Sequence, residues 1–193
     1  MQISAVQPED TGLLADLLSR AFAQDPGLRW IIPDEEDWLQ ISKPYFRLLI
    51  NRSLRKGLAQ TSSDRSCVAL WEPPQQTNSL ATQLWHLLRV YLLLKGNLNR
   101  AVRLQARIDS YRPRFPVWYL AYLATDPDRQ GEGLGGKILN PVLELADRSR
   151  QSIYLDCSNR ENLSFYFGHG FRLLDEVTSP DGPTLWPMIR EPA

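Results

Sequence analysis

Cysteine and histidine are scarce in this chain, with two of each among 193 residues. Two thiols, Cys67 and Cys157, make no disulfide framework, so the expectation is a pair of reduced thiols in a cytoplasmic protein. Without a Cys/His cluster no metal site is assigned. Net charge is missing too, because 22 Lys and Arg balance 22 Asp and Glu. That argues against the broad basic surface of a nucleic-acid or anionic-membrane binder. The apolar run Val90 to Leu94 is far too short to span a bilayer. Met1-Gln2-Ile3-Ser4-Ala5 lacks the basic-then-apolar pattern of a signal peptide. No internal repeat or low-complexity segment appears. What remains is one globular domain over residues 1–193, with monomer and homodimer both open.

What the chain does have is the segment Asp126-Pro127-Asp128-Arg129-Gln130-Gly131-Glu132-Gly133-Leu134-Gly135-Gly136-Lys137. A strand pattern, Val117 to Ala124, runs into it, and an amphipathic helix pattern, Leu134 to Arg148, runs out of it. A glycine-rich loop opening a helix turns free backbone N–H groups outward, which suits a phosphate. Gly133 and Gly135 leave no Cβ between backbone and ligand and permit unusual φ values. The helix dipole adds a favourable field. The alternative is a glycine-rich helix start with no ligand.

Three ligand classes compete. Gly131-x-Gly133-x-x-Gly136, with Asp156 twenty residues further on, fits a dinucleotide fingerprint. There the strand feeds the first glycine directly, whereas here Thr125 to Gln130 intervenes. Gly131-x-x-x-x-Gly136-Lys137 fits most of a P-loop, but Ile138 stands where a magnesium-binding hydroxyl belongs. The third pattern is Gln/Arg-x-x-Gly-x-Gly/Ala, present from Gln130 to Gly135.

The rest of the chain sets the architecture. Gln2 to Val6 alternates as a strand, and Pro8 opens a helix carrying Leu14, Leu17, Leu18 and Ala21. Asp25-Pro26-Gly27 reads as a break, followed by a helix through Trp38, Ile41, Tyr45 and Leu49 with a kink or boundary at Pro44. Leu58 to Thr61 and Ser66 to Trp71 read as a hairpin. A helical insertion, Asn78 to Tyr111, carries an apolar stripe of Leu80, Leu84, Leu87, Leu88 and Tyr91, with Arg100, Arg103 and Arg107 as a solvated face. His86 reads as packed or surface. After the glycine loop come a strand (Ser152 to Asp156), a short helix and two strands, Phe171 to Thr178 and Thr184 to Arg190, with Pro187 marking an edge or bulge. The expected class is α/β (α+β): a mixed, mostly antiparallel sheet flanked by helices, with a helical insertion before the central strand.

A second motif accompanies the loop. Tyr166-Phe167-Gly168-His169-Gly170-Phe171 follows Asn159-Arg160-Glu161-Asn162. Loop and motif together, in this order and spacing, resemble the acetyl-CoA-dependent N-acetyltransferases of the GNAT superfamily. Within it, Trp118 to Ala121, Tyr154 to Ser158, Asn162 to Tyr166 and Asp181 to Arg190 are similar to the puromycin N-acetyltransferase-like group. Asp156 stands where glutamate is common there, Val117 where many have histidine, and Asp25 where a tyrosine lies by the acceptor site.

The resemblance implies a GNAT fold, acetyl-CoA as cofactor, and direct acetyl transfer to a primary amine of a small molecule in a ternary complex. It implies that Gln130, Gly131, Gly133, Leu134, Gly135, Gly136 and Lys137 hold the coenzyme pyrophosphate. Leu123, Ala124 and Thr125 would meet the pantetheine arm, and Asn162 the cofactor or the helix start. Tyr166 becomes the candidate acid for the leaving thiolate. Asp156 becomes the candidate base, or else a turn cap bonding backbone near Ser158. Trp30, Trp85 and Tyr122 are candidates to line an acceptor pocket, or core. A CoA-binding module without catalysis and a nucleotide-binding protein are the alternatives.

Overall fold

The computed structural model describes residues 1–74 and 88–193. The chain begins with β1 (Ile3–Ala5) and a 3-10 turn (Pro8–Asp10) that leads into α1 (Thr11–Ala21). Next come α2 (Pro26–Ile31), α3 (Glu35–Lys56), β2 (Leu58–Ser62) and β3 (Cys67–Glu72). Helical backbone at 88–94 and a 3-10 turn (Lys95–Asn97) precede α4 (Leu98–Tyr111). The second half contains β4 (Trp118–Thr125), α5 (Leu134–Arg148), β5 (Ile153–Cys157), α6 (Leu163–Gly168), β6 (Arg172–Leu173), β7 (Val177–Ser179) and β8 (Gly182–Arg190).

α1 has ended at Ala21 before Asp25-Pro26-Gly27, as expected, but this segment also starts a new helix, α2. Asp25 accepts from the Leu28 amide at 2.8 Å, and Pro26 takes the first helical position, where a missing N–H costs nothing. α3 runs unbroken through Pro44. Asp34 caps it, accepting from Glu36 and Asp37 amides, and its first turn is acidic. Burial of Trp38, Ile41, Phe46 and Ile50 offsets the proline penalty. Gly57 ends it where a Cβ would lie 2.3 Å from the Trp71 carbonyl oxygen.

The strands form a sheet of order β1-β2-β3-β4-β5-β8-β6, with β7 on β8. Every pairing is antiparallel except β4 with β5. Period-two alternation splits the side chains between two cores. Val68, Leu70, Ala124 and Leu185 pack under α1, α2 and α3. Cys67, Ala69, Trp71, Trp118, Leu120, Ile153, Leu155 and Met188 pack under α5.

Several expectations need correction. The strand expected over Phe171 to Thr178 is two short strands, β6 and β7. Pro187 lies in an interior strand, opposite Asp156. Its carbonyl accepts from the Leu174 amide (2.9 Å), so its missing N–H faces the break between β6 and β7 and leaves no donor wasted. Arg107 is not on a solvated face: it donates to the carbonyls of Val177 (2.9 Å) and Pro183 (3.0 Å), tying α4 to the closing hairpin. Arg100 and Arg103 sit over the Trp30 ring at 6.0 and 5.9 Å. Of the insertion's stripe, Leu80, Leu84 and Leu87, with Trp85 and His86, lie outside the described residues. Leu88 and Tyr91 are exposed, whereas Leu94 and Leu104, among the insertion's described residues, are buried in the core. Among the described residues no helix is long and apolar enough to cross a membrane, and no group of side chains is set to hold a metal.

Candidate active site

The site grows from the one parallel pair. β4 meets β5 only at Trp118↔Ile153 and Tyr119↔Tyr154. Beyond that point β4 stays on β3 as far as Thr125, while β5 stays on β8 as far as Cys157. The two strands diverge, and a wedge opens between their C-terminal ends. Backbone groups of β4 on that side, through Leu123, Ala124 and Thr125, have no β5 partner.

A β-bulge marks the apex of the wedge. Leu70 pairs with Tyr122 but Trp71 pairs with Leu120, which leaves Ala121 unmatched. The bulge resets the alternation. Trp118 and Leu120 face α5, as Leu123 does, while Tyr122 and Ala124 face the α1–α3 side.

The glycine loop lies at the wide end. Gly131 and Gly133 have φ of +86° and +72°, and no atom lies within 4 Å of where a Cβ would be at either position. Both are exposed. The first helical bond of α5 runs from the Lys137 amide to the Gly133 carbonyl (3.2 Å), so the amides of Leu134, Gly135 and Gly136 lack helical acceptors. The loop is braced from outside. Arg129 pairs with Glu132 (2.7 Å) and with Asp64 of the β2–β3 turn, and Arg20 grips Asp126 at 2.9 and 3.0 Å.

The unusual φ expected of Gly135 is absent, and the lack of a Cβ at Gly135 and Gly136 serves helix packing. Both are in α5, and neither has a positive φ. A Cβ on Gly135 would lie 3.2 Å from the Phe165 ring, and one on Gly136 would lie 2.7 Å from His169 Nε2. These glycines let α6 approach the first turn of α5. His169 is oriented by its Nδ1, 2.7 Å from the Phe165 carbonyl, which makes Nδ1 the donor and turns Nε2 to Gly136.

α6 also carries Tyr166. Its ring meets Phe165 and Phe171 edge-on at 5.2 and 5.7 Å and packs on the α5-side core. Burial raises the Tyr166 phenol well above its usual range, and the neighbouring Cys157 and Asp25 push the same way. The phenol therefore keeps its proton at neutral pH.

Asp156 faces the other way, because Ile153, Leu155 and Cys157 take the α5 side of the strand. Its Oδ1 accepts from the Tyr154 hydroxyl at 2.7 Å. Its Oδ2 is buried without a partner. Burial lifts this carboxyl to about 6, against the lowering pull of Tyr154, Tyr119 and Arg112. A turn-capping role is overturned: no backbone N–H near Ser158 donates to Asp156. Asp25 also has a raised carboxyl through burial, but both its oxygens are used, by the Leu28 amide and the Ser158 hydroxyl. Of the two acids, only Asp156 has an oxygen with no hydrogen-bond partner.

Tyr154 and Tyr119 stand beside Asp156, and further tyrosines lie on this face of the sheet. Tyr119 stacks on Tyr154 at 6.0 Å and 28°. Tyr122 shares a 2.9 Å hydrogen bond with Tyr45. The Arg112 guanidinium lies 4.4 Å over the Tyr119 ring and donates to Glu72 (3.0 Å), which also holds Arg52. Beside this triad, a cavity of about 400 Å³ opens between Glu72, Arg112 and Phe115.

The acetyltransferase (GNAT) family matches residues 69–171, the stretch that holds wedge, loop, Asp156 and Tyr166. This chain belongs to the GNAT acetyltransferase family. A relative from Schizosaccharomyces pombe, an uncharacterized N-acetyltransferase, is 24% identical over all of this chain and 84% of its own length. A Corynebacterium glutamicum structure described as histone acetyltransferase HPA2 and related acetyltransferase superposes with a TM-score of 0.69 at 25% identity, covering 100% of this chain and 96% of that one. The fold of arylalkylamine N-acetyltransferase 2 from Aedes aegypti matches with a TM-score of 0.65 at 16% identity, covering 98% of each chain.

In this GNAT acetyltransferase the sequence-chosen residues fall into two groups. Thr125 meets the glycine loop, its Oγ1 lying 3.9 Å from where a Gly135 Cβ would be, and α6, which carries Tyr166, packs on the first turn of α5. Asp156 lies across β5 from Tyr166. Asn162 is exposed and makes no side-chain capping bond to α6; Asn159 caps the preceding turn instead, accepting from Glu161. Trp30 packs under arginines, Tyr122 reaches the tyrosine cluster, and Trp85 lies outside the described residues. Sequence reasoning missed Tyr154, although its place two residues before Asp156 on a strand puts both on one face. It also missed the Arg129–Asp64 brace, for which a separation of 65 residues leaves no local signal.

Proposed function

We propose that acetyl-CoA is the donor and that its acetyl group passes directly to the primary amine of a small molecule bound at the same time. The observation that carries this reading is the wedge between β4 and β5, with exposed positive-φ glycines at its wide end. Backbone amides of Gly131 to Gly136 would take the pyrophosphate, with Gln130 and Lys137 beside them. The unpaired edge of Leu123, Ala124 and Thr125 would hydrogen-bond the pantetheine amides as a strand would. Asn162, free of capping duty, is available to the coenzyme.

Coenzyme A, when bound, supplies an activated thioester carbon. Asp156 takes a proton from the acceptor ammonium, which makes the amine nucleophilic. The nitrogen would then bond to the carbonyl carbon as the carbon–sulfur bond breaks, and the second proton that the nitrogen sheds would end on the departing sulfur as the CoA thiol. Tyr166 holds its proton against the departing thiolate from the α5 face. The amine approaches from the opposite face, where Tyr45, Tyr119 and Tyr122 favour a ligand with an aromatic or apolar body. The fold shared with an arylalkylamine acetyltransferase is in keeping with such an acceptor.

Calorimetry with CoA, ATP and NAD, followed by an amine panel reading free thiol, tests the whole. CoA affinity with thiol release on aromatic amines is the expected result. ATP or NAD binding without CoA affinity overturns the donor. CoA affinity without acetylation of any amine leaves a binding module, and a polyamine or lysine peptide with the highest kcat/KM overturns the acceptor class.

A further inference from the structure

We propose that Tyr154 is a positioning residue for acetyl transfer: its hydroxyl clamps Asp156 Oδ1, leaving Oδ2 as the oxygen presented to the acceptor ammonium. The inference rests on the reading of Asp156 as base. A carboxylate on a short side chain can rotate, and a base with two equivalent free oxygens has no fixed direction of attack. Here one oxygen is occupied at 2.7 Å and the other is buried with no partner. The clamp is itself held rigid. Tyr154 is fully buried, its ring is stacked on Tyr119, and Tyr119 lies under Arg112, which is tied to Glu72. Burial keeps the Tyr154 phenol protonated far beyond neutral pH, so it acts as a donor to Asp156 and not as a competing base.

The clamp also sets the protonation of Asp156. Around the carboxyl stand Tyr154 on its own strand, Tyr119 on β4, and Arg112 and Asp109 at the end of α4. Its cross-strand neighbour on β8 is Pro187, which carries no charge. Burial raises the Asp156 carboxyl, and the Tyr154 hydroxyl is the largest influence lowering it. Without that donor the carboxyl gains its proton at higher pH.

The test compares wild type, Tyr154→Phe and Asp156→Asn by kcat/KM against pH, with a ¹³C-aspartate NMR titration as a readout independent of turnover. For Tyr154→Phe the acid limb and the carboxyl titration should both move up by about 1–2 pH units, the worth of one hydrogen bond to a charged acceptor. A folded Tyr154→Phe with both unmoved, beside an inactive Asp156→Asn, overturns the clamp alone. Asp156→Asn with the wild-type rate and profile overturns the base beneath it. Should Tyr154→Phe fail to fold, difluorotyrosine placed at position 154 strengthens the donor without deleting it. The acid limb must then move to lower pH, and an unmoved limb overturns the clamp.

Discussion

Asp156 and Tyr166 stand on opposite faces of β5. Asp156 points into the tyrosine-lined side, and Tyr166 packs beside Cys157 on the α5 side. A thioester lying in the wedge would therefore have its incoming nitrogen and its leaving sulfur served by different faces of the sheet. Neither group can do the other's work, so the two are separable by mutation.

For Asp156→Asn, kcat/KM should fall by about 10²–10⁴, the usual worth of a general base. In the wild type, burial puts the carboxyl at about 6, so activity should rise as pH increases through that value. Rates measured from pH 5 to 8 check both statements.

The same substitution should stabilise the fold. A carboxyl raised from 3.8 to about 6 binds its proton more tightly folded than unfolded. Stability is then lost as pH rises from about 4 to about 6, and the loss persists above that window. Asp156→Asn removes this penalty, so at pH 7 it should be more stable by about 1–3 kcal/mol, with the gain vanishing below about pH 4. Denaturant titrations at pH 4 and pH 7 decide it.

Tyr166→Phe should lower kcat by about 10²–10⁴ and leave acetyl-CoA affinity nearly unchanged, because the ring contacts with Phe165 and Phe171 survive. Turnover within a factor of about two of wild type would make the residue structural, or product release rate-limiting.

The glycines should separate by role. Gly133→Glu puts a carboxylate into open, exposed space at the mouth of the loop, so CoA affinity should collapse while the fold loses only roughly 1–2 kcal/mol for the left-handed backbone. Gly136→Ala meets the His169 ring at 2.7 Å and must shift α6. Its signature should be lowered kcat through a displaced Tyr166, with weaker loss of affinity. Isothermal titration beside steady-state kinetics distinguishes the two.

Strong acid should loosen the C-terminal end of the sheet. Arg190 holds Asp147 at 2.6 and 2.7 Å and keeps its carboxyl down at about 2. This stabilisation is present above the unfolded value of about 4 and is lost as pH falls towards 2. Asp147→Asn should cost about 1–2 kcal/mol at pH 7 and much less at pH 2. Thermal melts at the two pH values provide the measurement.

Sequence pattern alone carried a large part of this architecture. The Leu134–Arg148 helix was readable to its ends, because glycine before it and strong amphipathicity within it are local signals. The hairpin of β2 and β3 was readable for the same reason. The break after α1 was readable, but the start of α2 was missed, because Asp25 as a cap and Pro26 as a first helical residue resemble a plain turn. Pro187 was misread because its missing N–H is tolerated only through the local break between β6 and β7. The role of Gly135 was half hidden: the pattern shows a missing Cβ but not that Phe165 fills the space. The bulge at Ala121 has no sequence mark, since it arises from the register of two strands 50 residues apart.

The divergence of β4 from β5 also has a mechanical side. The sheet is continuous in order, yet at its centre only two register positions join the half built from β1 to β4 to the half built from β5 to β8. That line is a seam. An extended, amide-bearing chain laid along it would act as a temporary strand, closing the gap between two already folded halves. Such a chain would be a ninth strand, and its binding would be felt as stiffening across the whole sheet.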